Sequence, residues 1–278
     1  MPVISVNAWS FERYMGPLRM IEWNEDTKEQ VLKVSNRPEE MGLTAMLAKL
    51  GRKGYRAVEI PYCHLQDTSE EGLEHLRDQA RIQNVQLTSL LLDYGDLSSV
   101  DPLRRRTDLS WYRRWIDIAA DAGFVCVRIP AGEADPDDRP AIIRAADGLR
   151  CAADYAKSRN VRVVTENIGG LLSTSDNVNR LLEACGGRVG LTVDFGNFPE
   201  DKYRQLAEVL PYADTVHAKA RTKSGGIVDE DDFYRCLQLC ANAGFRGPLS
   251  LTYLDEGDAW EALDGLRSMA DNVMTKPA

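Results

Sequence analysis

The chain has 278 residues, of which 44% are hydrophobic and 28% charged, and its formal net charge is −9 at pH 7. This length suits one large domain that spans residues 1–278. The acidic balance argues against a nucleic-acid partner and against anionic membrane surfaces, because both are bound through clustered Lys and Arg.

The sequence also gives no sign of membrane insertion or export. No run of about 18 apolar residues occurs, and Met1–Glu12 lacks a basic segment followed by an apolar stretch. The six cysteines form no CxxC pair, which favours small buried thiols in a reducing compartment. We therefore expect a cytoplasmic protein.

Short, mostly apolar runs recur along the chain and predict eight strands of a parallel sheet that is covered on both faces. In chain order they are Val3–Ala8, Ala57–Ile60, Val85–Leu91, Val125–Ile129, Val161–Glu166, Val189–Asp194, Thr215–Ala218 and Leu249–Tyr253.

Amphipathic segments between these runs predict helices, among them Leu43–Arg52, Ser69–Gln83, Trp111–Ala122, Pro140–Arg159, Asn177–Ala184 and Asp231–Ala243. Gly54, Gly123 and Gly244 each follow a helix and precede a strand, where a left-handed glycine ends a helix at little cost. No GxGxxG motif follows a strand, which argues against a dinucleotide-binding sheet. Eight alternating units predict an α/β fold, a closed (β/α)8 TIM barrel.

The segment Ser10–Pro38 is less regular than the rest, and it holds Tyr14, Trp23 and several charges. It is either an extended loop after the first strand or a flap over the barrel mouth. Loops at that face commonly carry binding residues, so both interpretations stay open.

Polar residues cluster where the predicted strands end, which is the face that carries the chemistry in barrels of this kind. In chain order they are Glu59, Tyr62, His64, Arg128, Glu166, Asn167, Asp194, Asn197, His217, Lys219, Thr252, Tyr253, Asp255 and Glu256.

Glu166, Asp194 and His217 lie on the fifth, sixth and seventh predicted strands. Neighbouring strands are about 4.8 Å apart, so the three side chains can converge on one point. Two carboxylates and an imidazole suit a divalent ion such as Mn²⁺, Co²⁺, Zn²⁺ or Mg²⁺. The alternative is that Asp194 caps the next loop, Glu166 pairs with Lys219 or Arg128, and His217 is a hydrogen-bonded core residue.

Two further residues near the second strand are open to more than one interpretation. His64 lies in a loop and either contacts a ligand or is merely solvated. Glu59 faces either the barrel interior or the surrounding helices, because alternation along the strand does not decide between them.

Three segments resemble the sugar phosphate isomerase/epimerase family of xylose-isomerase-like TIM barrels, and they are Val164–Gly170, Gly190–Pro199 and Val216–Lys219. The resemblance extends from about Glu59 to Arg267. It implies a divalent metal held by Glu166, Asp194, His217 and a glutamate on the eighth strand. Asn197 stands where relatives often have a substrate-contacting His or Asn.

The sequence departs from the family pattern on the eighth strand. Leu249-Ser250-Leu251-Thr252-Tyr253 places Thr252 where the fourth ligand is expected, and Ile168 replaces the usual His after Glu-Asn. In the family's epimerases, the glutamates of the fifth and eighth strands move the proton on opposite faces of the sugar. A hydroxyl of ordinary pKa cannot act as a base near neutrality, so Thr252 puts both metal occupancy and two-base chemistry in doubt.

The leading hypothesis is an isomerase- or epimerase-like enzyme that acts on a sugar or cyclitol and uses a divalent metal to stabilise an enediolate. Glu166 is then the acid/base, and Lys219 stabilises developing negative charge. We assign substrate binding to His64, Arg128 and Asn197. Loss of the eighth-strand glutamate favours one-base isomerisation or elimination over two-base epimerisation.

Two other functions are weighed against this one. A metal-poor, non-catalytic or regulatory sugar-binding barrel is motivated by Thr252, and a lyase or dehydratase on the same scaffold stays open. A DNA-repair enzyme like endonuclease IV fits poorly, because that class needs several metal ions and a basic groove. The chain has three histidines and a net negative charge. Whether it forms a homo-oligomer is left open.

Overall fold

The computed structural model describes residues 2–274, so both ends of the predicted domain, residues 1 and 278, lie outside the described residues. The strands are β1 (Ile4–Asn7), β2 (Leu18–Asn24), β3 (Glu29–Ser35), β4 (Ala57–Pro61), β5 (Gln86–Leu91), β6 (Cys126–Arg128), β7 (Arg162–Glu166), β8 (Gly190–Asp194), β9 (Thr215–Lys219) and β10 (Leu249–Thr252). The helices are α1 (Leu43–Arg52), α2 (Glu70–Ile82), α3 (Pro102–Ala122), α4 (Arg139–Lys157), α5 (Ser175–Cys185), α6 (Lys202–Val209), α7 (Glu230–Asn242) and α8 (Ala259–Met274).

Eight parallel strands close into a barrel in the order β1, β4, β5, β6, β7, β8, β9, β10, which confirms the predicted (β/α)8 architecture. The ring closes where β1 pairs with both β4 and β10, with Ser5 opposite Ala57 on one side and opposite Ser250 on the other. All eight predicted strands are present, each with ends within two residues of the expected ones.

The apolar core lies between the barrel and its ring of helices. Strand residues such as Val58, Val127 and Val193 and helix residues such as Leu50 and Leu149 are fully buried there in one hydrophobic cluster. Gly54, Gly123 and Gly244 have φ values of 81°, 85° and 69°, which confirms that each ends its helix in the left-handed conformation. Within residues 2–274, none of the helices combines the length and apolar character needed to cross a bilayer.

Helix α3 begins at Pro102 rather than at Trp111. The local chemistry explains the earlier start, because the Asp101 carboxylate accepts the Leu103 N–H at 2.8 Å and Pro102 occupies the first turn. The capping residue and the proline therefore set this boundary.

The segment Ser10–Pro38 contains a β-hairpin rather than an extended loop, with β2 and β3 antiparallel and Leu18 opposite Ser35. Asn24 shapes the turn, since its side chain accepts the N–H groups of Asp26 and Thr27. The Ile21 N–H donates to the Tyr62 hydroxyl at 2.8 Å, which attaches the hairpin beside the carboxyl end of β4. The hairpin therefore stands at the edge of the barrel mouth.

Candidate active site

A cavity of about 490 Å³ opens at the carboxyl ends of the barrel strands. Its walls include both candidate metal ligands and candidate substrate-binding residues, among them Asn7, Arg128, Glu166, Asp194, Asn197, His217, Lys219 and Thr252. The volume lies within the range of about 300–1,000 Å³ that is usual for small-molecule sites.

Glu166, Asp194 and His217 converge at this cavity. Glu166 and Asp194 end β7 and β8, and His217 pairs with Asp194 across the β8–β9 ladder. One ligand atom from each residue lies within 4.8 Å of the others, and all three side chains are buried. His217 Nδ1 is 3.3 Å from Glu166 Oε1 and 3.7 Å from Asp194 Oδ2. Two buried carboxylates and an imidazole nitrogen that face one point are a donor set that fits a divalent ion.

Glu59 faces the barrel interior, which the sequence left undecided. Its Oε2 lies 2.8 Å from His217 Nε2, within ion-pair distance, and its side chain is fully buried. Burial opposes a charged imidazole, but the carboxylates of Glu59, Glu166 and Asp194 raise the pKa of His217 well above its ordinary value. A proton held at Nε2 beside Glu59 leaves Nδ1 as the nitrogen that faces the other two carboxylates.

Asp194 is held in place from both sides. Its backbone N–H donates to Asn167 Oδ1 at 2.7 Å, and Asn167 Nδ2 donates back to the Asp194 carbonyl at 3.1 Å. The Asp194 carboxylate accepts the Gly196 N–H at 2.6 Å, so it also caps the following loop. Burial opposes ionisation, but the contacts with His217 and Lys219 keep the pKa of Asp194 below its ordinary value.

A hydrogen-bonded chain joins Lys219 to Glu166 through Asn197. Lys219 Nζ donates to Asn197 Oδ1 at 2.7 Å, and Asn197 Nδ2 donates to Glu166 Oε1 at 3.0 Å. Lys219 Nζ is also 3.3 Å from Asp194 Oδ1. The Lys219 side chain passes over Gly196, where a Cβ would overlap its Cε atom. The structure therefore brings Asn197 and Lys219, two of the residues chosen from the sequence, to the carboxylate pair.

Arg128 contacts the same cluster from β6. Its Nε lies 3.0 Å from Glu166 Oε2, and its terminal nitrogen forms an ion pair with Asp93. Trp9 Nε1 donates to the other Asp93 oxygen at 3.0 Å. Asp93 and Trp9 were not identified from the sequence, although both follow barrel strands, and the rule that selected Glu166 would have found them.

His64 does not line the mouth cavity. It lies in a short 3₁₀ turn, 3% exposed, with its ring 5.5 Å from the Trp9 ring in an edge-to-face arrangement. Burial lowers the pKa of His64 to about 4, so the ring is neutral near pH 7. It is therefore not solvated, and its assignment to substrate binding stays a prediction.

Thr252 ends β10 and lines the mouth cavity, while its hydroxyl donates to the Ser250 carbonyl at 3.3 Å. Asp255 accepts hydrogen bonds from the Thr222 hydroxyl and the Glu256 N–H. Among the described residues, the group of metal-competent side chains consists of Glu166, Asp194 and His217 alone. The eighth strand thus offers a hydroxyl to the mouth, and the carboxylate of Asp255 is engaged with the loops that follow β9 and β10.

Comparisons with known proteins agree with this architecture. The family profile of the xylose isomerase-like TIM barrel matches residues 47–271, and no curated protein matches the chain in sequence. The solved structure of L-ribulose 3-epimerase has a TM-score of 0.73 at 14% identity and covers 99% of this chain and 95% of its own.

Two other solved structures are similar over almost their whole lengths. A xylose isomerase-like TIM barrel protein from Mycobacterium smegmatis in complex with magnesium has a TM-score of 0.69 at 16% identity and covers 99% of this chain and 97% of its own. The probable 3-DHS dehydratase AsbF from Bacillus anthracis, involved in petrobactin synthesis, has a TM-score of 0.67 at 16% identity with full coverage of both chains, 100% and 100%. At such identities these likenesses establish the fold.

Proposed function

Because the chain belongs to the xylose isomerase-like TIM barrel family, we propose that it is a divalent-metal enzyme that moves a proton next to the carbonyl of a sugar or cyclitol. The observation that carries this proposal is the convergence of Glu166, Asp194 and His217 within 4.8 Å in the mouth of the barrel. The similarity to solved structures supports the substrate class, since one of them is L-ribulose 3-epimerase.

Glu166, Asp194 and His217 are the residues that would hold the ion. When bound, a divalent cation stabilises negative charge that develops on the substrate's carbonyl oxygen and neighbouring hydroxyl. Glu59 holds the His217 ring from behind through its contact with Nε2, at 2.8 Å. Mn²⁺, Co²⁺, Zn²⁺ and Mg²⁺ all accept carboxylate ligands, so the donor set leaves the choice among them open.

The carboxylate of Glu166 is the proposed base. It takes the proton from the carbon beside the carbonyl and returns it to the neighbouring carbon or to the leaving oxygen. Asn197 and Arg128 fix its orientation from two sides, at 3.0 Å each. The Lys219 ammonium group lies at the same end of the cavity and stabilises negative charge on the substrate oxygen.

Thr252 on the eighth strand supports one-base over two-base chemistry. Thr252 stands in the mouth where a second carboxylate would face Glu166, and a hydroxyl does not ionise near neutral pH. We therefore favour isomerisation or elimination over epimerisation. The chain is similar in structure to both an epimerase and a dehydratase. This fits a barrel on which isomerisation and elimination both begin with removal of the proton beside the carbonyl.

A metal-poor, regulatory sugar-binding barrel is the second candidate, and Thr252 is the observation that favours it. Three protein ligands bind an ion less tightly than four, because each anionic ligand adds favourable charge. Metal content after purification separates the two functions: about one equivalent per chain supports the enzyme, and none supports the binding protein.

The proposed chemistry can be tested without knowing the product. The Mn²⁺-loaded protein is incubated in D₂O with a panel of ketoses and cyclitol ketones, and ¹H NMR follows exchange of the hydrogen beside the carbonyl. We expect exchange with at least one panel member and its loss in Glu166→Gln. Absence of exchange across the panel, with Mn²⁺ bound, contradicts the proposal.

Asp194→Asn provides the matched test of the metal. The amide oxygen can still accept the Gly196 N–H, so the loop should keep its shape while the ligand loses its charge. We expect Mn²⁺ binding, measured by calorimetry on chelator-treated protein, to weaken about a hundredfold or more. Unchanged affinity in a folded Asp194→Asn variant would remove Asp194 from the ligand set.

A further inference from the structure

A second cavity, of about 460 Å³, lies between the β2–β3 hairpin and the barrel mouth. Asp93, Arg128 and Ile168 line both this hairpin cavity and the mouth cavity, so the two adjoin along a shared wall. The mouth cavity alone, at about 490 Å³, offers enough room for a small ligand. The hairpin cavity adds a similar volume beside the mouth cavity.

We propose that the hairpin cavity binds a second ring of the substrate, and that this ring is uncharged and rich in hydroxyl groups. The substrate class is then a neutral glycoside or disaccharide with its reacting ring in the mouth cavity. This inference rests on the proposed function for the identity of the reacting ring, while the second ring is argued from the hairpin cavity itself.

The charges around the hairpin cavity exclude a phosphorylated group. Glu22, Asp93 and Glu133 contribute three carboxylates, and the cationic groups are those of Arg104 and Arg128. Both guanidinium groups already have acidic partners. Arg128 pairs with Asp93 and Glu166, and Arg104 lies 3.3 Å from Asp108 and 3.5 Å from Glu25. A phosphate there would face carboxylates without an uncommitted cation, which is unfavourable in a partly desolvated site.

The same wall suits a sugar ring. Trp23 of β2 contributes a half-buried indole to the hairpin cavity, and the Arg104 guanidinium lies 5.3 Å from the centre of its ring. The part of the indole that Arg104 leaves uncovered can pack against the apolar C–H face of a sugar ring. Carboxylates accept hydrogen bonds from hydroxyl groups, so Glu22 and Glu133 can orient the ring by its edge. Glu133 is itself held by the Gly170 N–H, which donates to its Oε2 at 3.2 Å.

The hairpin is attached to the barrel, so this wall is built into the fold. The Ile21 N–H donates to the Tyr62 hydroxyl at 2.8 Å, and Gln30 Nε2 donates to Asp108 Oδ1 at 3.3 Å. One bond comes from each hairpin strand and reaches a different part of the barrel. The indole of Trp23 is thereby fixed relative to the mouth cavity.

The test compares three groups of probes on the Mn²⁺-loaded protein by calorimetry: neutral monosaccharides, the corresponding disaccharides and phenyl glycosides, and hexose 6-phosphates. We expect the two-ring probes to bind about tenfold more tightly than the single rings, and the phosphates more weakly. Trp23→Ala should remove the advantage of the second ring and leave the affinities for monosaccharides and Mn²⁺ unchanged. Trp23→Phe, which keeps an aromatic face, should retain most of it.

The inference would be overturned by the absence of a preference for two-ring probes, or by a preference that Trp23→Ala leaves intact. Tighter binding of hexose phosphates would also overturn it. The Mn²⁺ titration distinguishes failure of the second-ring inference from failure of the proposed function. If the protein binds Mn²⁺ and catalyses exchange but prefers single rings, the proposed function is supported and the second-ring subsite is contradicted. If it prefers two-ring probes but does not bind Mn²⁺, the subsite is supported and the proposed function is contradicted.

Discussion

The buried imidazole of His64 makes the stability of the protein depend on pH in a way that can be measured. Its two ring nitrogens have no hydrogen-bond partner among the described residues, and its ring packs on Trp9. Burial lowers the pKa of His64 from 6.5 to about 4. Between these values the unfolded chain binds a proton that the folded protein does not, so stability falls as the pH falls from above 6.5 towards 4.

The size of the effect follows from the two pKa values. One unit of pKa corresponds to about 1.4 kcal/mol, so the free energy of unfolding should decrease by about 2 kcal/mol between pH 7 and pH 5. Below pH 4 the loss should level off at about 3 kcal/mol, because both states then carry the proton. The group is 3% exposed, so screening by solvent is small.

Replacement of His64 by Phe should remove this contribution. Phe keeps a ring against Trp9 and introduces no polar atom, so stability at pH 7 should change little or increase. Urea unfolding followed by circular dichroism at pH 7 and pH 5 gives the two free energies for each protein. His75→Gln is the matched control, since His75 lies on an exposed face of α2.

The expected result is a loss on acidification that is about 2 kcal/mol smaller in His64→Phe than in the wild type and in His75→Gln. Equal pH dependence in all three proteins would mean that His64 is not held neutral by burial. A marked loss of sugar binding in His64→Phe at pH 7 would instead support the substrate-binding role predicted from the sequence.

Two further predictions concern the metal. Glu59→Gln keeps the volume but removes the charge beside His217 Nε2, so Mn²⁺ affinity measured by calorimetry should fall about 10- to 100-fold, and the Co²⁺ absorption spectrum should change; an unaltered spectrum and affinity would exclude a positioning role for Glu59. Thr252→Glu adds a fourth ligand, the third carboxylate of the set, and should tighten Mn²⁺ binding about tenfold, whereas the uncharged control Thr252→Gln should not. Equal affinities in the two variants would show that this position does not face the ion.

The sequence was sufficient for the barrel. Each strand is a short apolar run, and each of Gly54, Gly123 and Gly244 marks the end of a helix through a conformation that other residues rarely adopt. Such signals are local, so they can be recognised without knowing which residues pack against them. Because carboxyl ends of parallel strands meet at one face, the positions of Glu166 and Asp194 in the chain also predicted that they would lie together.

Tertiary structure decided what local patterns leave open. The direction in which Glu59 points depends on how β4 pairs with β1 and β5. Strands that are buried on both faces lack a clear alternation of polar and apolar residues, so their sequence does not show which side chains face the barrel interior. The hairpin likewise became identifiable through its attachment to Tyr62, since β2 and β3 lack a clean polar and apolar alternation.

The same reason separates His64 from the mouth. Its place in the sequence, directly after a barrel strand, predicts a binding residue. The structure adds that the ring lies buried in a short 3₁₀ turn, 5.5 Å from the Trp9 ring, and does not line the mouth cavity. Asp93 is the opposite case, because its own segment gives no sign of a place in the site. Its ion pair with Arg128 on the next strand of the barrel brings it there. Local sequence fixes which residues end a strand, and only the closed barrel fixes which of their side chains share a cavity.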